Sequence, residues 1–129
     1  MSQSAFHIDS DVTPFLVQSR ERLFAAQRFP CTASSAGVAP VAPGNYAVFD
    51  GSATCIYVGE TKNLNQRLKQ LIRGKHIFRR RYRAAKALSD SDARAHMAAS
   101  LSFAYATTSI GRAEIEEYII TIDKPQFNY

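Results

Sequence analysis

Long apolar runs are missing from this chain of 129 residues. Nothing approaches the run of about 20 apolar residues that a membrane-spanning helix needs, so no membrane partner is expected. The opening Met-Ser-Gln-Ser-Ala-Phe-His has no basic segment followed by an apolar one, so it does not read as a secretory signal. Cysteine occurs only as Cys31 and Cys55, with no CxxC pair and no metal-ligand spacing toward His7, His76 or His96. That excludes a disulfide framework and a zinc site, and leaves two small buried thiols in a reduced, cytoplasmic setting as the expectation. Charge of either sign is absent between Arg28 and Asp50. Acid is absent between Thr61 and Ser89.

What is present is a strongly uneven charge. The chain carries +5 overall, from 16 basic and 11 acidic residues. Ten of the basic residues fall in the acid-free stretch: Lys62, Arg67, Lys69, Arg73, Lys75, Arg79, Arg80, Arg81, Arg83 and Lys86. The remainder, with six basic and eleven acidic residues, is therefore mildly acidic. One intensely basic segment on an acidic protein points to a polyanion partner. An apolar fraction of 46% supplies one core, and the length suits one domain.

Along the chain, residues 1–11 are polar and expected to be loose. Thr13-Pro14 has the form of a helix start, with Thr as cap and Pro in the first turn, and predicts a helix over about 14–28 carrying Leu16, Leu23 and Phe24. Three of the five prolines then fall in 30–43 among Ala, Ser, Thr and Gly, which reads as an extended connector. Asn45–Asp50 and Cys55–Glu60 are short β-rich runs around Gly51-Ser-Ala-Thr54, and form a hairpin. Alternation puts Tyr46 and Tyr57 on one, more polar face, and Ala47, Phe49, Ile56 and Val58 on the other.

Asn63–Ile72 is an amphipathic helix with Leu64, Leu68, Leu71 and Ile72 inside, Arg67 flanking that face, Lys69 and Arg73 outside, and Gly74 as its stop. Lys75–Leu88 follows, with Ile77, Phe78 and Tyr82 among its arginines. Ser89-Asp-Ser-Asp opens a short helix holding Ala95, Met97 and Ala98, and Leu101–Ala106 alternates as a third strand. The last helix, about 112–123, has Ile115, Tyr118, Ile119 and Ile122 as its core stripe. Glu117 lies opposite this stripe and Glu114 and Glu116 flank it, and periodicity does not choose between the latter two.

These parts together resemble one family. Gly44-Asn45-Tyr46, followed by Tyr57-Val58-Gly59 with its tyrosine eleven residues on, is similar to the paired signature of the GIY-YIG nucleases. Arg67, ten residues after Tyr57, matches that family's helix arginine, and Pro125 and Asn128 match its closing Pro-x-x-Asn. The family's metal-binding Glu lies twelve residues before the Asn, which selects Glu116. The resemblance spans Gly44 to Tyr129. It implies an α/β (α+β) fold in which a three-stranded antiparallel sheet is flanked by helices, with residues 1–43 as an N-terminal helical extension and 44–129 as the nuclease domain.

It also implies a metal-dependent endonuclease acting on DNA. In that chemistry Tyr46 takes the proton of the attacking water, Tyr57 hydrogen-bonds the water or phosphate, Arg67 neutralises the phosphate, and Glu116 holds one Mg²⁺ or Mn²⁺. Asn128 either orients groups at the floor of the site or caps backbone groups near the C-terminus. Lys62, Arg73, Lys75, Arg79, Arg80, Arg81, Arg83 and Lys86 would follow the nucleic-acid backbone, positioning it without reading sequence. RNA stays open as a substrate. Specificity then has to come from the extension, from a second copy of the chain in a homodimer, or from a targeting partner protein. A non-catalytic nucleic-acid-binding module that keeps the fold is the alternative. Three departures stand out: Asn45 where the family is aliphatic, Glu60 after Tyr57-Val-Gly, and Leu71 where homing-type members carry His four after the arginine.

Overall fold

The structure is a computed structural model; it describes the backbone of residues 3–129 and the side chains from Thr13 onward. Ten elements follow in order: α1 (Gln3–Ala25), β1 (Phe29–Pro30), α2 (Ala33–Ala36), β2 (Gly44–Phe49), β3 (Cys55–Thr61), α3 (Leu64–Arg73), α4 (Ile77–Lys86), α5 (Asp90–Ser100), β4 (Ser102–Thr107) and α6 (Arg112–Asp123). The strands form one antiparallel sheet in the order β1-β4-β2-β3. The mixed α/β class with an antiparallel sheet flanked by helices is as expected, and the described residues add a fourth strand. That strand is only two residues long, pairing Phe29 with Phe103 and Pro30 with Ser102, so no alternation was there to signal it.

Both faces of the sheet are covered, and this changes the reading of the hairpin. Tyr46, Val48, Tyr57 and Phe103 pack under α3, α4 and α5 with Leu64, Leu68, Leu71, Ile72, Phe78, Tyr82 and Met97. Ala47, Phe49, Val58, Ala104 and Ala106 pack under α1 and α6 with Leu23, Ile115 and Ile119. The face that carries the two tyrosines is thus a second core face rather than the more polar one. Ile56 also departs from simple alternation. Val48 pairs with Tyr57 but Phe49 pairs with Cys55, so a bulge inserts Ile56 and turns it toward the tyrosine side.

The N-terminal segment is tied to this framework. α1 continues through Pro14, where a start was expected, and ends at Ala25 rather than near 28. Its C-terminal half is held by packing that outweighs the local signal: Leu23 is buried, and Phe24 meets Phe49 edge-on at 5.3 Å. Arg20 forks onto Asp123 of α6, Nε to Oδ2 at 2.7 Å and Nη2 to Oδ1 at 2.6 Å. Residues 30–43 are not simply extended, because they start on the second residue of β1 and contain the Thr32-capped α2 and the buried Cys31, Ala36 and Ala39. Cys31 and Cys55 are both free and buried. On α6, Ile115 and Ile119 are buried while Ile122 is exposed, narrowing the expected stripe. Among the described residues no helix is long and apolar enough to cross a membrane.

Candidate active site

Glycines set the geometry around the two tyrosines. Tyr46 lies directly across from Gly59 on the β2–β3 pair. A Cβ at Gly59 would overlap Cζ and Oη of Tyr46 and crowd Cε1 at 2.8 Å, so the phenol lies flat over a position that must lack a side chain. A Cβ at Gly44 would likewise collide with the Ala106 carbonyl and with Leu64 of α3. The two tripeptides are therefore places where a ring or a neighbouring strand presses against bare backbone. Tyr46 and Tyr57 stand 6.2 Å apart between ring centroids.

Asn45 faces away from Tyr46. Its Nδ2 donates to the carbonyls of Gly59 (3.3 Å) and Arg112 (3.0 Å), fastening the first turn of α6 to the hairpin. Its Oδ1 is buried with no hydrogen-bond partner. A polar residue at this position thus ties down the helix that carries Glu116. Arg112 itself reaches Glu60, Nε to Oε1 at 3.2 Å. Glu60 is the departure noted after Tyr57-Val-Gly, and here it serves as the partner of a helix-start arginine.

Four of the five motif residues meet electrostatically. Burial pushes the Tyr46 phenol well above its ordinary value; the neighbouring Tyr57 and the Glu116 charge push the same way, and Arg67 opposes them. Tyr57 is also raised, by burial first and then by Glu116, while Tyr46, Arg81 and Arg67 pull it down. Glu116, half-buried, is raised by burial and by the charges of Glu60 and Glu117, with the backbone of Glu60 pulling the other way. Glu114 and Glu117 are exposed. Arg67 is exposed on α3, above the tyrosines it influences. The site therefore wraps around β3: the tyrosines come from one face of the sheet, and Glu116 comes from the helix on the other.

Asn128 does a structural job. Its Oδ1 accepts from the Val58 amide and its Nδ2 donates to the Val58 carbonyl, both at 2.8 Å, while Phe127 N–H donates to the Ile56 carbonyl at 2.9 Å. This holds the closing segment beside β3, one residue from Tyr57.

The basic segment divides. A cleft of about 550 Å³ between the end of α3 and α4 is lined by Arg73, Lys75, His76, Arg79, Arg80, Arg83 and Asp90. Within it Arg79 is 4% exposed, ion-paired to Asp90 at 2.6 Å and bonded to the Ile72 carbonyl, so it braces α4 and α5 from inside. Arg83 reaches the Leu88 carbonyl and lies 3.8 Å from Asp90. Arg81 donates to the Phe127 carbonyl at 2.7 Å and stacks on Tyr129. Lys62, Arg73, Lys75, Arg80 and Lys86 face solvent. The residue that sequence reasoning passed over is His76. It caps α4 through Nδ1, which accepts from Phe78 N–H at 2.9 Å, and it touches Tyr46 Oη through Nε2 at 2.7 Å. The signal available was an His before an apolar-periodic segment, which marks a helix cap but names no partner 30 residues away.

A family profile described as the GIY-YIG catalytic domain matches residues 42–129. Curated proteins include no match. Among solved structures, the GIY-YIG N-terminal endonuclease domain of UvrC from Thermotoga maritima bound to its catalytic divalent cation, magnesium, is 19% identical, with 87% of this chain and 97% of that chain covered and a TM-score of 0.47. A point variant of that domain, bound to its catalytic divalent cation, is 18% identical, with 87% and 96% covered and a TM-score of 0.47. With the catalytic-domain profile matched over well over half of its length, and with the paired tripeptides, Arg67, Glu116 and Asn128 in order, the chain belongs to the GIY-YIG nucleases and is an enzyme of that class.

Proposed function

We propose that the chain is a metal-dependent endonuclease that hydrolyses phosphodiester bonds in DNA. The observation that carries this is the convergence of four motif residues from β2, β3, α3 and α6: Tyr46 and Tyr57 stand 6.2 Å apart between ring centroids, and the charges of Arg67 and Glu116 bear on both phenols. Hydrolysis needs a base for the attacking water, positive charge on the phosphate and support for the leaving oxygen. Tyr46 is the base in this scheme. Arg67, exposed and flanking the tyrosines, forks onto the phosphate. Tyr57 hydrogen-bonds the water or the phosphate, and Asn128 keeps β3 and the tail in register beneath it.

Glu116 suits a hard divalent cation. Its carboxylate is held above its ordinary value by burial and by Glu60 and Glu117, an excess of negative charge that a bound cation relieves. A single carboxylate completed by water and phosphate oxygens is ordinary for Mg²⁺, and Mn²⁺ takes the same donors. When bound, one such ion supplies charge to the phosphate and to the departing oxygen.

Residues 44–129 form the nuclease unit in this proposal and 1–43 form an extension, which from Leu16 onward packs against that unit. Lys62, Arg73, Lys75 and Arg80 supply phosphate contacts, and the internally engaged Arg79 is relieved of that duty. The test is incubation with supercoiled plasmid and with single-stranded DNA, with and without Mg²⁺ or Mn²⁺. Cutting that needs the metal and disappears in Tyr46→Phe and Glu116→Gln is the expected result. Equal cutting by the Glu116→Gln protein overturns the scheme. Salt-sensitive retention of DNA without cutting in either metal assigns the chain to non-catalytic binding instead.

A further inference from the structure

A base made from a buried tyrosine has a difficulty that the motif residues do not resolve. The surroundings of Tyr46 favour the neutral phenol: burial, Tyr57 from β3 and Glu116 from α6 all raise it, and only Arg67 from α3 opposes. The position four after Arg67, where some relatives place a polar side chain, is the fully buried Leu71. The needed donor arrives from another element.

His76 precedes α4, is 3% exposed, and meets Tyr46 and Tyr57 edge-on, with ring centroids 5.9 and 5.4 Å away. Its protonation state follows from its partners. A backbone N–H only donates, so Nδ1, which receives Phe78 N–H, carries no proton. The neutral ring then carries its proton on Nε2, and Nε2 must donate to Tyr46 Oη at 2.7 Å. Burial, followed by the Arg67 charge, lowers the imidazole to about 4, so this neutral tautomer holds through the physiological range. A phenolate is an acceptor alone, and a donor fixed on its oxygen favours that form over the phenol. The same bond turns the hydroxyl proton of Tyr46 away from His76.

We infer that His76 is a positioning residue for the hydrolysis proposed above, on which this inference rests: its Nε2–H, aimed by the α4 cap, holds Tyr46 Oη as an acceptor and stabilises the phenolate. Two substitutions separate the cap from the donor. His76→Asn keeps an acceptor that can cap α4 but is too short to reach Tyr46. His76→Gln carries an amide N–H further out, near the place of Nε2.

In metal-dependent plasmid cutting at pH 7.5, His76→Asn should lose about 10- to 100-fold in rate, and its rising pH–rate limb should move up by about one pH unit. His76→Gln should recover most of that loss. Added to Tyr46→Phe, His76→Asn should cost nothing further, because its effect runs through the phenol oxygen. Nitrogen-15 NMR of the wild-type imidazole, which needs no activity, should show Nδ1 bare and Nε2 protonated from pH 5 to 8. A proton on Nδ1, or an unmoved pH profile in a His76→Asn protein whose wild-type parent cuts DNA, overturns the role of His76 and leaves the nuclease proposal standing. A wild-type protein that cuts no DNA in either metal removes both.

Discussion

Replacing Gly59 with alanine should destabilise the protein although generic propensity favours the change. Gly59 has no positive φ, so alanine fits its backbone, and removing a strand-interior glycine ordinarily gains about 0.5–1 kcal/mol. Against this, the new methyl falls on Cζ and Oη of Tyr46, a ring 2% exposed and confined by His76 and Tyr57. Overpacking of this kind costs about 1–3 kcal/mol. The overlap wins, leaving a net loss of about 1–2 kcal/mol, or a fall of about 4–8 °C in melting temperature for a chain of this size. Displacement of the phenol by about 1 Å should also cost about 100-fold in cutting rate. The decisive measurement is a double-mutant cycle in urea with Tyr46→Leu, which lacks the three overlapping atoms. In that background Gly59→Ala should change sign and become stabilising by about 0.5–1 kcal/mol. A Gly59→Ala protein as stable as wild type, or equal destabilisation in both backgrounds, refutes the steric account of the Tyr-x-Gly signature.

Other outcomes follow from the charges. Without metal, Glu116→Gln should melt higher than wild type at pH 7.5. The fold raises the Glu116 pKa, so it prefers the protonated acid; that contribution is complete below 4.5 and is lost as pH rises through the raised value. The advantage of Gln should therefore vanish below pH 4.5, which melts in EDTA across that range will check. Arg20→Ala or Asp123→Ala should each cost about 1–2 kcal/mol in denaturant, and the two together little more than either, because they remove one two-pronged contact. For DNA retention, replacing Arg73, Lys75 and Arg80 with alanine should lower the slope of log affinity against log salt by about 2–3. Arg79→Ala should instead lower the melting temperature, since its guanidinium is inside and paired with Asp90.

Much of the candidate site was legible because the residues that the family resemblance names sit on positions that local pattern also marks. Tyr46 and Tyr57 share a face through alternation and Arg67 flanks a four-residue apolar stripe, whereas periodicity left Glu114 and Glu116 equal and only the family's spacing singled out Glu116, which is half-buried where Glu114 is exposed. What escaped has long-range causes. The bulge that turns Ile56 depends on strand pairing, and alternation knows nothing of it. Arg79 sits in a run of arginines that looks solvated, yet Ile72 and Asp90 surround it. The helix through Pro14 is stabilised by packing beyond the proline. His76 could be recognised as a cap, but the ring it touches is 30 residues earlier, and only the packing of α4 under the sheet brings them together.

The closing segment has a consequence for how this molecule can associate. Strands at the margin of a sheet normally offer unpaired backbone groups on which another chain can build. Here the outer groups of β3 at Ile56 and Val58 are taken by Phe127 and by the Asn128 amide, which imitates one residue of a neighbouring strand. The opposite margin, β1, is two residues long and includes Pro30, which has no N–H to offer. Cover is thus local: the tail shields β3 at Ile56 and Val58, and β1 shields β4 at Ser102 and Phe103. A further strand finds no free backbone at Val58 on which to build, and the amide that steadies the strand of Tyr57 is what occupies that place.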